Sequence, residues 1–268
     1  MENAIEFFPN LNALLAANAS RKANSVFVGI ETSLMESRFD TEFTGTTSYN
    51  EAEKLCRDGW FEKLDNFKET CSIRPINQLR RRVVASPVGY VPHVPNAIMG
   101  RPDCMIKTIM QKEKVAAVEI VVSTIISAKT KTEEVFKYSA RILQAIAAIE
   151  ASGTRVKIIL CAMNNTSQKK NSGQLAQCFV TLKEASEKLN PARVYFPLVH
   201  PSMFRRITFR WLETCPQVTS RKFSSSYGYV QRINKLNLPP QLAKAKFINL
   251  MEVIKGDWDA KEILARIK

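Results

Sequence analysis

At 268 residues, 45% hydrophobic and 24% charged, the chain has enough apolar mass to bury a large core, and its charge content is too ordinary for global disorder. The formal net charge of +14 is one-sided: residues 1–150 carry 19 Lys+Arg against 18 Asp+Glu, and residues 151–268 carry 20 against 7. No apolar run reaches membrane-spanning length, since the best stretch, 115–128, is short and holds Glu119, so no membrane partner is expected.

Residues 1–24 read as a partly helical lead-in. They open with Glu2 and Glu6 rather than Lys or Arg, and the Leu14-Leu15 patch is short, so no export signal is expected. The six cysteines never come closer than 15 positions, and without an export signal they point to a reduced, cytoplasmic setting. Residues 25–30, apolar and β-branched, predict a first strand. Ser48-Tyr49-Asn50-Glu51 has the form of a capping box, and Ala52, Leu55 and Cys56 continue at helical spacing until Gly59-Trp60. A second short helix is expected over 61–67.

The basic run Arg80-Arg81-Arg82 leads into a strand near 83–86. Pro87, Gly89, Pro92, Pro95, Gly100 and Pro102 then argue for an ordered loop with apolar anchors such as Tyr90, Val94, Ile98 and Met99. A strand at 115–123, a helix at 132–152 and a strand at 155–162 follow. The helix carries Val135, Tyr138, Ile142, Ala145, Ile146 and Ile149 on one face, and together the three elements form a βαβ crossover. A further strand is expected at 177–183, with helices at 191–199, interrupted by Pro197, and 202–214. Helical spacing returns in the tail 241–268, where Gly256-Asp257-Trp258-Asp259 separates two helices. The expected fold is therefore α/β, with a central, largely parallel sheet flanked by helices. It forms one domain over 1–240, followed by a C-terminal helical tail.

Catalytic classes are tested by counting. The nine glycines are never closer than 11 positions apart, which removes the P-loop, the dinucleotide turn and the G-x-S-x-G elbow. The two histidines, His93 and His200, cannot form H-E-x-x-H or Cys/His zinc spacing. Asp257 and Asp259 form a D-x-D pair at a helix junction, where capping accounts for them. A non-enzymatic protein without metal or cofactor is expected. These exclusions reach familiar motifs only, so an unfamiliar nuclease built from Glu119, Asp103 and Asp257 stays open.

The cationic C-terminal half is what a polyanion selects for, because each neutralised phosphate releases a counterion. The candidate contacts are Lys169, Lys170, Arg205, Arg206, Arg210, Arg221 and Lys222, with Tyr227 and Tyr229 placed to stack exposed bases. A charge run is also what a solvated face looks like, and Arg205 and Arg206 could instead be internal ion-pair partners. No helix-turn-helix or RNA-recognition signature appears, so DNA or RNA would be bound with weak sequence selectivity.

Several segments together resemble a poorly characterised family of bacteriophages and mobile elements. They are Phe43-Thr44-Gly45-Thr46-Thr47-Ser48-Tyr49 with Glu51-Ala52 and Gly59-Trp60, then Val88-Gly89-Tyr90 through Val94-Pro95 with Gly100-Arg101-Pro102 and Met105. Residues 148–153, His200-Pro201-Ser202-Met203-Phe204-Arg205-Arg206 with Phe209, and Tyr227-Gly228-Tyr229 complete the set, which spans roughly 43–230. The order of core elements also looks like that of von Willebrand factor A-type domains. Those place a metal with D-x-S-x-S at the end of the first core strand, where this chain has Val122-Ser123-Thr124-Ile125-Ile126-Ser127 and no Asp. The resemblance implies a metal site that is absent or degenerate. It also implies an alternative role, a protein-interaction adaptor or virion component that uses loop 87–102 to contact a phage or host protein.

Overall fold

The computed structural model describes residues 3–36, 43–61, 79–112, 116–127, 130–167, 173–223, 227 and 238–267. They divide into two units, one of residues Met1–Ile73 with Ala117–Lys268 and one of Arg74–Ala116.

The larger unit is built on a mostly parallel five-stranded sheet. Its strands are β1 (Ala4–Phe8), β5 (Ala117–Ser123), β6 (Arg155–Asn165), β7 (Leu175–Lys183) and β8 (Lys246–Asn249), in the order β1-β7-β6-β5-β8. The predicted crossover is its centre. β5 runs parallel to β6, with Val118 opposite Val156, and the helix Thr132–Ala151 connects them. Ile120, Val121 and Val122 are buried in succession, as a strand covered on both faces requires. The helix buries Val135, Ile142, Leu143, Ala145 and Ile146, so its 3.6-residue period becomes the packing face. At the end of this helix Glu150 pairs with Lys183 at 2.6 Å, both side chains almost wholly buried. The same carboxylate accepts from the Val156 amide at 3.0 Å, and the ammonium donates to the Val156 carbonyl at 2.7 Å. Helix end, β6 and β7 are thereby tied at one point.

The largely parallel sheet is as expected, while individual elements add to the expectation or depart from it. β7 lies antiparallel to β6, and β1, parallel to β7, takes the edge beyond it. Residues 25–29 form turns instead of a strand; Phe27 is buried and its ring lies 5.5 Å from that of Tyr227, so the apolar run anchors the core without entering the sheet. The 83–86 strand belongs to the other unit. β8 brings part of the 241–268 tail into the central sheet beside β5, and the helices Leu250–Lys255 and Ala260–Ile267 bury Val253, Ile263 and Ile267. The Ser48 cap is as expected, its hydroxyl accepting from the Glu51 amide at 3.1 Å, while Glu51 reaches back to the Thr47 amide at 2.6 Å. The expected helix 61–67 lies outside the described residues beyond Phe61.

The smaller unit is an antiparallel ribbon. β2 (Leu79–Ser86) pairs along its length with β4 (Met105–Lys112), from Leu79 opposite Lys112 to Ser86 opposite Met105. The short β3 (Val91–Pro92) adds to β4 at Ile106 and Met105, and a single helical turn, Val94–Ile98, closes the tip. Gly89 permits this closure: a Cβ there would stand 2.2 Å from the Ile106 carbonyl oxygen.

Candidate nucleic-acid interface

Two of the expected phosphate contacts turn inward. Residues Met203–Thr208 form a π-helical stretch that continues into the helix Phe209–Thr214, and Arg205 and Arg206 on it are 1% and 0% exposed. Their neighbours Met203, Phe204, Ile207 and Phe209 are buried too, which leaves the stretch no polar face. Arg206 spends its guanidinium on the chain itself, donating to the carbonyls of Ser33, Met35 and Thr46, each at 2.9 Å, and to the Thr44 hydroxyl at 3.2 Å. Arg205 donates to the carbonyls of Phe43 and Ser127, and the Phe43 ring lies 3.9 Å from its guanidinium carbon. Burial lowers the Arg205 pKa to about 10. His200, at the head of the same segment, packs among Trp60, Phe136 and Phe196, and its Nδ1 accepts from the Ser202 amide at 3.2 Å. Gly45, with φ +81°, turns directly over His200 and Pro201, where a Cβ would come within 3.1 Å of the imidazole.

Tyr227 is also inside, 8% exposed, with a positive φ of 56° and its ring stacked 4.3 Å from that of Phe209. Its hydroxyl donates to Glu213 and accepts from the Thr32 amide at 2.6 Å. Glu213, fully buried, also accepts from the Ser33 amide at 2.9 Å and from the Ser33 hydroxyl. Burial raises its pKa. The placement of Tyr227 as a base-stacking platform is thus corrected: its ring is core, and its hydroxyl closes a network with Glu213, Ser33 and Thr32.

The remaining candidates divide. Arg210 is largely buried and faces Glu213 at 3.6 Å. Arg221 and Lys222 are exposed, on a single turn of 3-10 helix. Lys169, Lys170 and Tyr229 lie outside the described residues.

The profile of a domain of unknown function, DUF7192, matches residues 2–267. The chain belongs to the DUF7192 family. No curated protein and no solved structure matches it.

In this DUF7192 chain the segments 43–49, 200–206 and Tyr227, far apart in sequence, meet in one buried hub that fastens the 32–35 and 43–46 segments to the π-helical stretch. Of the acids suggested for a nuclease, Glu119 and Asp257 in the larger unit are held by different partners. Glu119 faces Lys157 at 3.6 Å on β6, and both line a groove of about 440 Å³ with Ile159 and with Phe179, against which Phe7 stacks. Asp257 instead accepts from Tyr138 and Arg141 on the Thr132–Ala151 helix, and Asp103 belongs to the ribbon unit. Among the described residues no group of three or more His, Cys, Asp or Glu could hold a metal ion. At the end of β5 the buried hydroxyls of Ser123 and Thr124 have no hydrogen-bond partner among the described residues.

Cations that the sequence did not single out stand on the ribbon. Arg82 and Lys107 are exposed, and pairing of Val84 with Lys107 and of Arg82 with Ile109 puts them on one face. Arg80-Arg81-Arg82 was the signal available, but a face needs a strand register, which a Pro-rich neighbourhood conceals.

Proposed function

We propose that this DUF7192 protein is a non-enzymatic nucleic-acid-binding protein of a phage or mobile element, acting in the cytoplasm or associated with the virion. The observation that carries this is the fate of the basic residues of 151–268. Of the fifteen that are described, four are buried and eight are exposed, Arg221 and Lys222 among them. This half of the chain carries only seven acids, so the cationic excess is presented to solvent. The von Willebrand A-type likeness of the core belongs to the same proposal, with Ser123 and Thr124 at the strand end where that family places its acid.

Fluorescence anisotropy of labelled DNA and RNA against rising salt tests it. Affinity should fall linearly on a log–log plot, and Arg221→Ala with Lys222→Ala should weaken binding for every sequence and flatten the slope by up to about 2 units. Salt-insensitive binding, or none, overturns the proposal. So does co-purification in high salt with a defined protein partner and no nucleic acid, which would assign the chain to the adaptor class.

A further inference from the structure

We infer that the ribbon of residues 79–112 is the element that grips nucleic acid and that its target is a duplex, an inference that rests on the nucleic-acid reading and names its substrate class. The unit Arg74–Ala116 carries eight Lys+Arg against two Asp+Glu, so the near-neutral N-terminal half hides a second basic island. On its strands Arg82 and Lys107 share one face, and Arg80 occupies the next register position of that row, opposite Gln111. The register positions of Arg81 and Lys112 fall on the other face, with Val83 and with Thr108, whose hydroxyl bonds the Tyr90 hydroxyl at 2.6 Å. Eight-residue strands give a ribbon about 27 Å long, and a two-stranded ribbon is what a DNA groove admits.

The tip completes the device. Val94, Ile98 and Met99 are 57%, 81% and 58% exposed, yet the turn that presents them is fixed from within. The His93 ring caps the Asn96 amide at 3.3 Å, the Asn96 side chain donates to the Asp103 carbonyl at 2.9 Å, and the His93 amide donates to the Cys104 carbonyl at 2.7 Å. A rigid apolar point between cations is the arrangement that wedges base steps apart while the flanking charges hold the phosphates. Arg101, exposed beside the tip, supplies such a charge. Cores of protein–protein contacts are depleted of charge, so the chemistry of this ribbon fits a polyanion better than a protein surface. Tyr227 is buried, which removes one of the two tyrosines expected to stack the bases of single strands.

The test uses the full chain, a labelled 30-base-pair DNA duplex and the matching single strand, with circular dichroism to verify folding of each variant. The wild type should prefer the duplex. Arg82→Ala with Lys107→Ala should weaken duplex binding and lower the salt slope by about 2 units. Ile98→Ser with Met99→Ser should leave that slope unchanged but reduce duplex bending, read by energy transfer between end labels. Steep salt-dependent binding that neither pair of substitutions alters would sink the ribbon and leave the nucleic-acid proposal standing. Single-strand preference would sink the duplex assignment alone. Absence of any nucleic-acid binding would remove both, and a protein partner or second copy held in high salt through Ile98 and Met99 would make the tip a protein surface.

Discussion

Glu213 sits in the core as the acceptor for three donors, the Ser33 amide, the Ser33 hydroxyl and the Tyr227 hydroxyl. Burial outweighs those bonds and raises its pKa. A carboxyl whose folded pKa is raised binds its proton more tightly in the native state than when unfolded. Its contribution to stability is complete below the ordinary carboxylate range and is lost as pH climbs from about 4.5 through the folded value. Thermal unfolding of Glu213→Gln against wild type should therefore show a stability difference that shrinks as pH rises from 4 to 8. A difference that widens would mean the folded carboxylate is favoured. Arg205 and Arg206 show why such residues mislead a reader of sequence. An internal arginine and a solvated one are spelled alike, and the distinguishing sign here was the flanking Met203, Phe204, Ile207 and Phe209, which leave no side of the turn for water.

Among the elements, the crossover from β5 through the Thr132–Ala151 helix to β6 was fully legible, because a 20-residue amphipathic helix between two apolar runs admits one right-handed arrangement. The short edge strands β1 and β8 were not. Five and four residues carry too little periodicity, and only pairing with β7 and β5 makes them strands. The direction of β7 was equally hidden, since an apolar run does not state its sense. One feature that holds this antiparallel neighbour in place is the buried Glu150–Lys183 pair. Lys183→Met leaves Glu150 unpaired in the core and should cost about 3–5 kcal/mol in denaturant unfolding. Adding Glu150→Gln should recover most of that loss, whereas additive losses would show that the two side chains act independently.

At the scale of the whole molecule, the two units are unequal in how they are held. The hydrophobic core draws on β1, β5, β6, β7, β8 and their helices, and among the described residues none between 82 and 109 belongs to it. The ribbon keeps its form through ladder bonds and the polar ties of its tip. Hydrogen exchange should accordingly find amides of β5 and β6 opening only with global unfolding, and those of β2 and β4 exchanging at least about a hundredfold faster. Equal protection in both would refute this division. The sequence announced a Pro-rich interruption at this place, and composition pointed to a contact surface. What it could not convey was that the interruption folds back as a paired ribbon with Arg82 and Lys107 on one face, since that depends on register. Overall charge was legible from the start, but which cations reach solvent was not.

The cysteines carry a practical corollary. Cys56, Cys161, Cys178 and Cys215 lie in the core, and burial lifts their thiols, that of Cys56 to about 12, so thiolate is scarce until the sheet opens. Cys104, beside the ribbon tip, is only partly covered. Among the described cysteines a thiol reagent thus meets two populations. Cys104 takes a dye from the folded state and places a reporter next to the tip, while uptake by the core sulfurs keeps time on how often the molecule breathes.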